Sequence, residues 1–128
     1  MSNDTTDWTE LREFKAIDLT QSYVLSWLLE AGSLLVDVDL CLCPEHAFYE
    51  EPRPAEGACY RPAFIDFPHC EAAVDSAGDM ELTKSVPGLR HGKIKGLKRI
   101  GEGEYEIIGD FGRVSIQAER PMVRLKSL

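Results

Sequence analysis

SYVLSWLLEAGSLLVDVDLCLC, residues 22–43, alternates apolar and polar side chains on either side of a small turn. In its second half Leu34, Val36, Val38, Leu40 and Leu42 fall on one side of an extended chain. Leu35, Asp37, Asp39, Cys41 and Cys43 fall on the other. In its first half Tyr23, Leu25, Trp27 and Leu29 are expected on one side, with Ser22 and Ser26 opposite. Between them EAGS supplies a turn in which Gly32 is free to take positive φ. The stretch therefore predicts a β-hairpin with one wholly aliphatic strand face.

Downstream, four more short runs have strand composition and tight connections. KIKGLKRI, EYEIIG, FGRVSIQA and MVRLK are joined by GEG, GD and ERP, the pattern of a meander, with Gly112 expected to permit a bulge or a close backbone approach. ACYRPAFIDF, residues 58–67, is another strand, and Pro62 places an edge or a bulge within it. Residues 44–57, rich in Pro and Glu, form a long loop, and residues 68–92 a second irregular region with DSAGDM and SVPGLRHG as turns. Near the start, Thr9 is placed to cap a short helix ahead of LREF, and residues 1–10 are expected to be flexible. The fold class expected is all-β: a single domain, residues 1–128, forming an antiparallel β-sandwich or a partly closed barrel of about seven strands, with at most one short N-terminal helix.

Composition narrows the function classes. The chain has 128 residues, 44% hydrophobic and 28% charged, enough apolar material for one real core. The opening MSNDTTDWTELREF has neither the basic nor the apolar region of a signal peptide. The apolar stretches Tyr23–Leu29 and Leu34–Cys43 are interrupted by Glu30, Gly32, Asp37 and Asp39, so no membrane span is expected and a cytoplasmic location is. Four cysteines in that setting are expected as free thiols. Net charge is −8, with seventeen acidic against four basic side chains before residue 84 and five against ten after it. That balance disfavours nucleic acid, whose phosphates need a dominant basic surface, while strands of opposite charge pairing across a sheet account for the asymmetry.

Six soft donors, Cys41, Cys43, His46, Cys59, His69 and Cys70, fall within thirty residues and raise the question of zinc. The metal-ligand candidates are Cys41, Cys43, His46 and Cys59. In an extended strand the C-x-C sulfurs share a face but stand roughly 6–7 Å apart. Sulfurs on one tetrahedral zinc sit about 3.7 Å apart, so zinc needs the strand to end at Cys43, ahead of Pro44. Buried cysteines acting as small hydrophobes are the expected alternative, and no cofactor is expected. A Cys–His nucleophile is disfavoured because the acidic surroundings of residues 41–71 raise a thiol pKa. Asp37 and Asp39 share a face with Cys41 and Cys43; either that face becomes covered towards Cys43 or it lines a cavity. Lys84, Arg90, His91, Lys93, Lys95, Lys98 and Arg99 form a basic stretch without the interleaved aromatics of a nucleic-acid platform. GEGEYE and GDFG lack the context of phosphate loops or of a kinase. No catalytic constellation is recognisable, and catalysis is not expected.

The remaining signal is the acidic-aromatic loop. His46, Phe48, Tyr49, Glu50 and Glu51, with Tyr60 beyond it, are the candidate binding residues; the aromatics serve an interface if exposed and a plug if turned inward. The run TQSYVLSWLLEAGSLLVDVDLCL with a meander ending GDFGRVSIQAERP resembles the general pattern of small bacterial all-β proteins, some of them toxin-immunity proteins, and no functional residue carries over from it. The function expected is a small acidic protein-binding module of the immunity or inhibitor kind with a basic protein partner. The alternative is a small-ligand or metal-binding β-barrel with its pocket between the Asp37, Asp39, Cys41, Cys43 face and the 44–57 loop. A homodimer is compatible with either.

Overall fold

The computed structural model describes residues 5–51, 59–75 and 92–126, and these form nine antiparallel strands and two 3₁₀ turns. The two glycine-containing turns expected between 75 and 92, the basic residues Lys84, Arg90 and His91, and the second half of the 44–57 loop with Glu56 lie outside the described residues, wholly or nearly so.

The strands are β1 (Thr6–Asp7), β2 (Ile17–Glu30), β3 (Ser33–Leu42), β4 (Cys59–Phe67), β5 (Ala72–Asp75), β6 (Gly92–Gly101), β7 (Glu104–Gly109), β8 (Gly112–Gln117) and β9 (Met122–Leu125). They form one sheet in the order β5-β8-β7-β6-β2-β3-β4-β9, with β1 on β6. The sheet does not close; β5 and β9 stand at its two ends. It does fold over on itself. Phe67 of β4 meets Tyr105 of β7 edge-on at 5.6 Å, a contact between strands far apart in the ladder order, and Trp27 of β2 meets Phe111 of the β7–β8 turn at 5.3 Å. Two facing layers result, one of β2, β3, β4 and β9 and the other of β5, β6, β7 and β8; the all-β class expected from the sequence, a sandwich or partly closed barrel of about seven strands, is met by one open antiparallel sheet with nine strands among the described residues.

The hairpin of β2 and β3 has the expected turn, Glu30 opposite Ser33 with Gly32 at φ 82°. Along β3 the aliphatic face is the core face: Leu34, Val36, Val38, Leu40 and Leu42 are all buried. Each such side chain contributes about 1.5–3 kcal/mol on burial, which pins the register, since a slip of one residue would turn the whole row to solvent.

β2 departs from simple alternation. It uses fourteen residues against the ten of β3, with three extra residues between Asp18 and Tyr23 and one between Val24 and Ser26. Each odd insertion reverses which face a given parity takes. The core residues are therefore Ile17 and Leu19, then Ser22 and Val24, then Trp27, while Tyr23, Leu25 and Leu28 are exposed. The expected apolar row of Tyr23, Leu25, Trp27 and Leu29 is thus corrected: Trp27 alone of the four is fully buried, and Leu29 is partly so. Ser22, expected on the polar side, is fully buried because its hydroxyl repairs the bulge. Its Oγ donates to the Asp18 carbonyl at 2.9 Å and accepts from the Cys41 N–H at 2.9 Å, standing in for the ladder bond that the extra residues interrupt.

At the N-terminus the expected cap is also corrected. Asp7, not Thr9, caps Trp8–Glu10, its carboxylate taking the Thr9 N–H and hydroxyl. Two 3₁₀ turns, Trp8–Glu10 and Arg12–Phe14, replace a helix because Leu11 between them is extended and, with Phe14, is drawn into the core. Pro62 sits where β9 runs out: its carbonyl accepts from Lys126 N–H at 2.9 Å, so the N–H it lacks is missing on the side where the neighbouring strand ends. A close backbone approach occurs at Gly109, where a Cβ would lie 2.4 Å from the Lys93 carbonyl, and Gly112 takes φ 104°, a conformation that favours glycine.

Candidate functional site

The face that carries Asp37, Asp39, Cys41 and Cys43 is the outer one of its layer, and strand register lays it out in rows. Leu28, Leu35, Asp66 and Met122 form one row; Ser26, Asp37, Phe64 and Arg124 the next; then Tyr23, Asp39 and Pro62; then Asp18, Cys41 and Tyr60. Burial rises along β3, so that Asp37 and Asp39 are half-buried and Cys41 is buried. Cations from β9 and just beyond it settle the first acids. Arg124 pairs with Asp66, which is 2% exposed, and Lys126 Nζ lies 2.6 Å from Asp37 and over the Phe64 ring. At the other end the Tyr23 and Tyr60 rings stand 6.1 Å apart. Burial pushes the Tyr60 hydroxyl up, reinforced by Cys41, Tyr23, Asp39 and Asp18.

The proposed zinc ligands are distributed by the same register. Cys41 is opposite Tyr60 and Cys59 opposite Leu42, so the two thiols point to opposite sides of the sheet. Cys59 belongs to the core and accepts the Glu50 N–H at 3.5 Å; His46 Nδ1 accepts the Phe48 N–H at 3.1 Å. Among the described residues no three His, Cys, Asp or Glu side chains are grouped to hold a metal ion. The Cys41 thiol is pushed up by burial and then by Asp18, and Cys43 by burial and then by Glu45 and Asp18. These thiols are therefore protonated and weakly nucleophilic at neutral pH.

The segment from Cys43 to Glu51 is a braced turn. His46 N–H donates to the Cys43 carbonyl at 2.9 Å and Tyr49 N–H to the His46 carbonyl at 3.0 Å. Arg61 of β4 ties it down, donating to the Phe48 carbonyl and pairing with Glu50. Tyr49 packs against the core, whereas Phe48 is 58% exposed, the most exposed large apolar side chain among the described residues, with Glu45, Glu50 and Glu51 exposed near it in the chain. His46 and Phe48 line a cleft of about 520 Å³ whose other wall includes Arg12, Lys15 and Leu125. The structure thus brings His46, Phe48, Tyr49, Glu50 and Glu51 together and places Tyr60 apart from them, on the outer sheet face beside Tyr23.

A further grouping has no signature in the sequence. Glu13, Tyr105 and Arg120 converge with Pro68, Glu102, Glu119 and Met122 on a cleft of about 770 Å³ at the end of the sandwich. Arg120 Nε lies 3.1 Å from Glu13 Oε2, and the Tyr105 hydroxyl is pushed up by burial, with Arg99 and Arg120 opposing and Glu13 reinforcing. Its members come from the second 3₁₀ turn, the residue after β4, the β6–β7 turn, β7, the β8–β9 connection and β9, so only the folded topology assembles them. No helix among the described residues is long and apolar enough to cross a membrane. No protein-family model matches this chain, and neither the curated proteins nor the solved structures contain a significant match to it.

Proposed function

We propose that this chain is a non-catalytic protein-binding module whose partner is basic. The observation that carries the reading is Phe48, an exposed aromatic held by a turn that is already ordered by its own backbone bonds and by Arg61. A pre-organised aromatic knob loses little conformational freedom on docking, which is the property of interface hot spots. Glu45, Glu50 and Glu51 beside it, and a net charge of −8, favour encounter with a positive surface. Chemistry at the thiols is disfavoured by the upward shifts of Cys41 and Cys43, both led by burial.

A peptide library selected on the immobilised protein tests the reading. Enrichment in Lys and Arg is expected, with affinity falling at least tenfold between about 50 and 300 mM salt. Phe48→Ala and the pair Glu45→Lys, Glu51→Lys should each weaken the selected peptides at least tenfold. Selection of sequences without basic residues, or binding indifferent to salt and to these substitutions, would overturn it. The ligand-binding alternative draws its support from the 770 Å³ cleft, which lies at a different place from the pocket expected on the Asp37–Cys43 face.

A further inference from the structure

β9 ends the open sheet, and among the described residues it pairs only with β4. Lys126 N–H donates to the Pro62 carbonyl at 2.9 Å, with Arg124 opposite Phe64 and Met122 opposite Asp66 further along. In an antiparallel ladder, alternate residues turn both backbone groups to the same neighbour. Met122, Arg124 and Lys126 therefore turn theirs to β4, and Val123 and Leu125 turn their N–H and C=O groups outward. Among the described residues no other backbone bonds to either. A bare edge of this kind is a template for another extended chain.

The edge borders a groove. Val123 and Leu125 line the cleft of about 520 Å³ that also takes in Ile17, Phe48, Arg12 and Lys15. Both are half-buried against the core, which gives the groove an apolar floor. Its charge is the reverse of the molecule's. Glu13 in the same cleft is held by Arg120, whereas Arg12 and Lys15 are exposed and enter no ion pair among the described residues. Glu45 and Glu51, which flank Phe48 in the chain, are exposed and likewise enter none. A segment docked on Phe48 thus meets carboxylates from the turn and cations from the groove.

We propose that β9 accepts an extended segment of the basic partner as an added strand, its backbone paired with Val123 and Leu125, its basic end at Glu45 and Glu51 and an acidic end at Arg12 and Lys15. The inference rests on the basic-partner reading and adds how the partner docks. A second copy of β9 is the poorer occupant, because it would bring Arg124 and Lys126 to a groove already lined by Arg12 and Lys15.

Isothermal titration with the acetylated and amidated heptapeptide Lys-Lys-Val-Thr-Val-Glu-Glu, and with the same residues in reverse order, provides the test. The tighter of the two reports the direction of the added strand and is carried forward. Arg12→Glu, Lys15→Glu and, separately, Glu45→Lys, Glu51→Lys should each weaken it at least tenfold. Two N-methylated versions separate strand addition from attraction of charge alone, one methylated on its odd-numbered amides and the other on its even-numbered ones. In an added strand one set faces β9 and the other faces away, so one version should bind within twofold of the parent and the other at least tenfold more weakly. Equal binding by the two versions would overturn strand addition, and indifference to Arg12→Glu, Lys15→Glu would overturn the groove; in either case sensitivity to Glu45→Lys, Glu51→Lys leaves the basic-partner reading standing. If neither heptapeptide binds the wild type, or if Glu45→Lys, Glu51→Lys changes nothing, that reading fails and the inference with it.

Discussion

Ser22 shows how much one hydroxyl decides. It sits at the first bulge of β2, fully buried, and satisfies the Cys41 N–H that the disrupted ladder leaves without a carbonyl. Ser22→Ala would strand that N–H in the core at a cost of about 1–3 kcal/mol, whereas an exposed serine replaced by alanine costs little. Urea unfolding of Ser22→Ala beside Ser115→Ala, an exposed position on β8, measures the difference, and equal midpoints would contradict the role given to Ser22. Nothing in the letters around Ser22 distinguishes it from Ser26, because the hydrophobic pattern reports side-chain polarity and the bulge depends on how many residues the partner strand has to offer.

At the scale of elements, β9 is the instructive case. It is four residues long, at the end of the sheet, and among the described residues is paired only to β4. Two cations hold it there, Arg124 on Asp66 and Lys126 on Asp37. Asp66 is 2% exposed, and one of its oxygens already lacks a partner among the described residues. Arg124→Ala would leave the carboxylate buried and uncompensated, a loss of about 3–5 kcal/mol. Adding Asp66→Asn should recover much of that loss, since the remaining group carries no charge. A double-mutant cycle by denaturant unfolding reads this directly, and additive losses would refute the coupling. β3, β4 and the β6–β7–β8 meander were legible in the sequence because one face of each is buried and a turn residue closes each end. β1 and β5, two and four residues long, were not, because so short a run carries no periodicity and is strand only by virtue of its neighbour. β9 was legible as a strand but not as the partner of β4, since nothing local encodes a pairing with a strand so distant in sequence.

Over the whole molecule, buried and half-buried acids of the weak kind shape behaviour in base. The thiols of Cys41, Cys43 and Cys70 and the hydroxyls of Tyr60 and Tyr105 are all raised by burial from ordinary values of 9.0 and 10.0. The unfolded chain therefore gives up these protons first. The stability they confer is complete below about pH 9 and is lost as pH climbs through the raised folded values. The urea midpoint should fall as pH rises above about 9, and fall less in Cys41→Ala, Cys70→Ala, in which two of these groups are gone; a midpoint equally steep in both would remove the thiols from the account. The candidate site was legible only in part, for the same topological reason that hid β9. The loop residues His46 to Glu51 are contiguous and could be read as a group, but Tyr60 belongs to a different face, and Glu13, Tyr105 and Arg120 meet only after the sheet has folded over.

That folding over passes through a single strand. β6 gives Gly92 and Lys93 to β2 and its remaining length to β7, with β1 on the flank at Lys98 and Arg99. Neither layer has a private boundary at which it might come loose and leave the other intact. Opening one exposes the shared strand and with it the apolar faces of both, so slow amides on β3 and on β7 are released by one common event. The sandwich behaves mechanically as a sheet of paper creased once, in which the crease belongs to both halves.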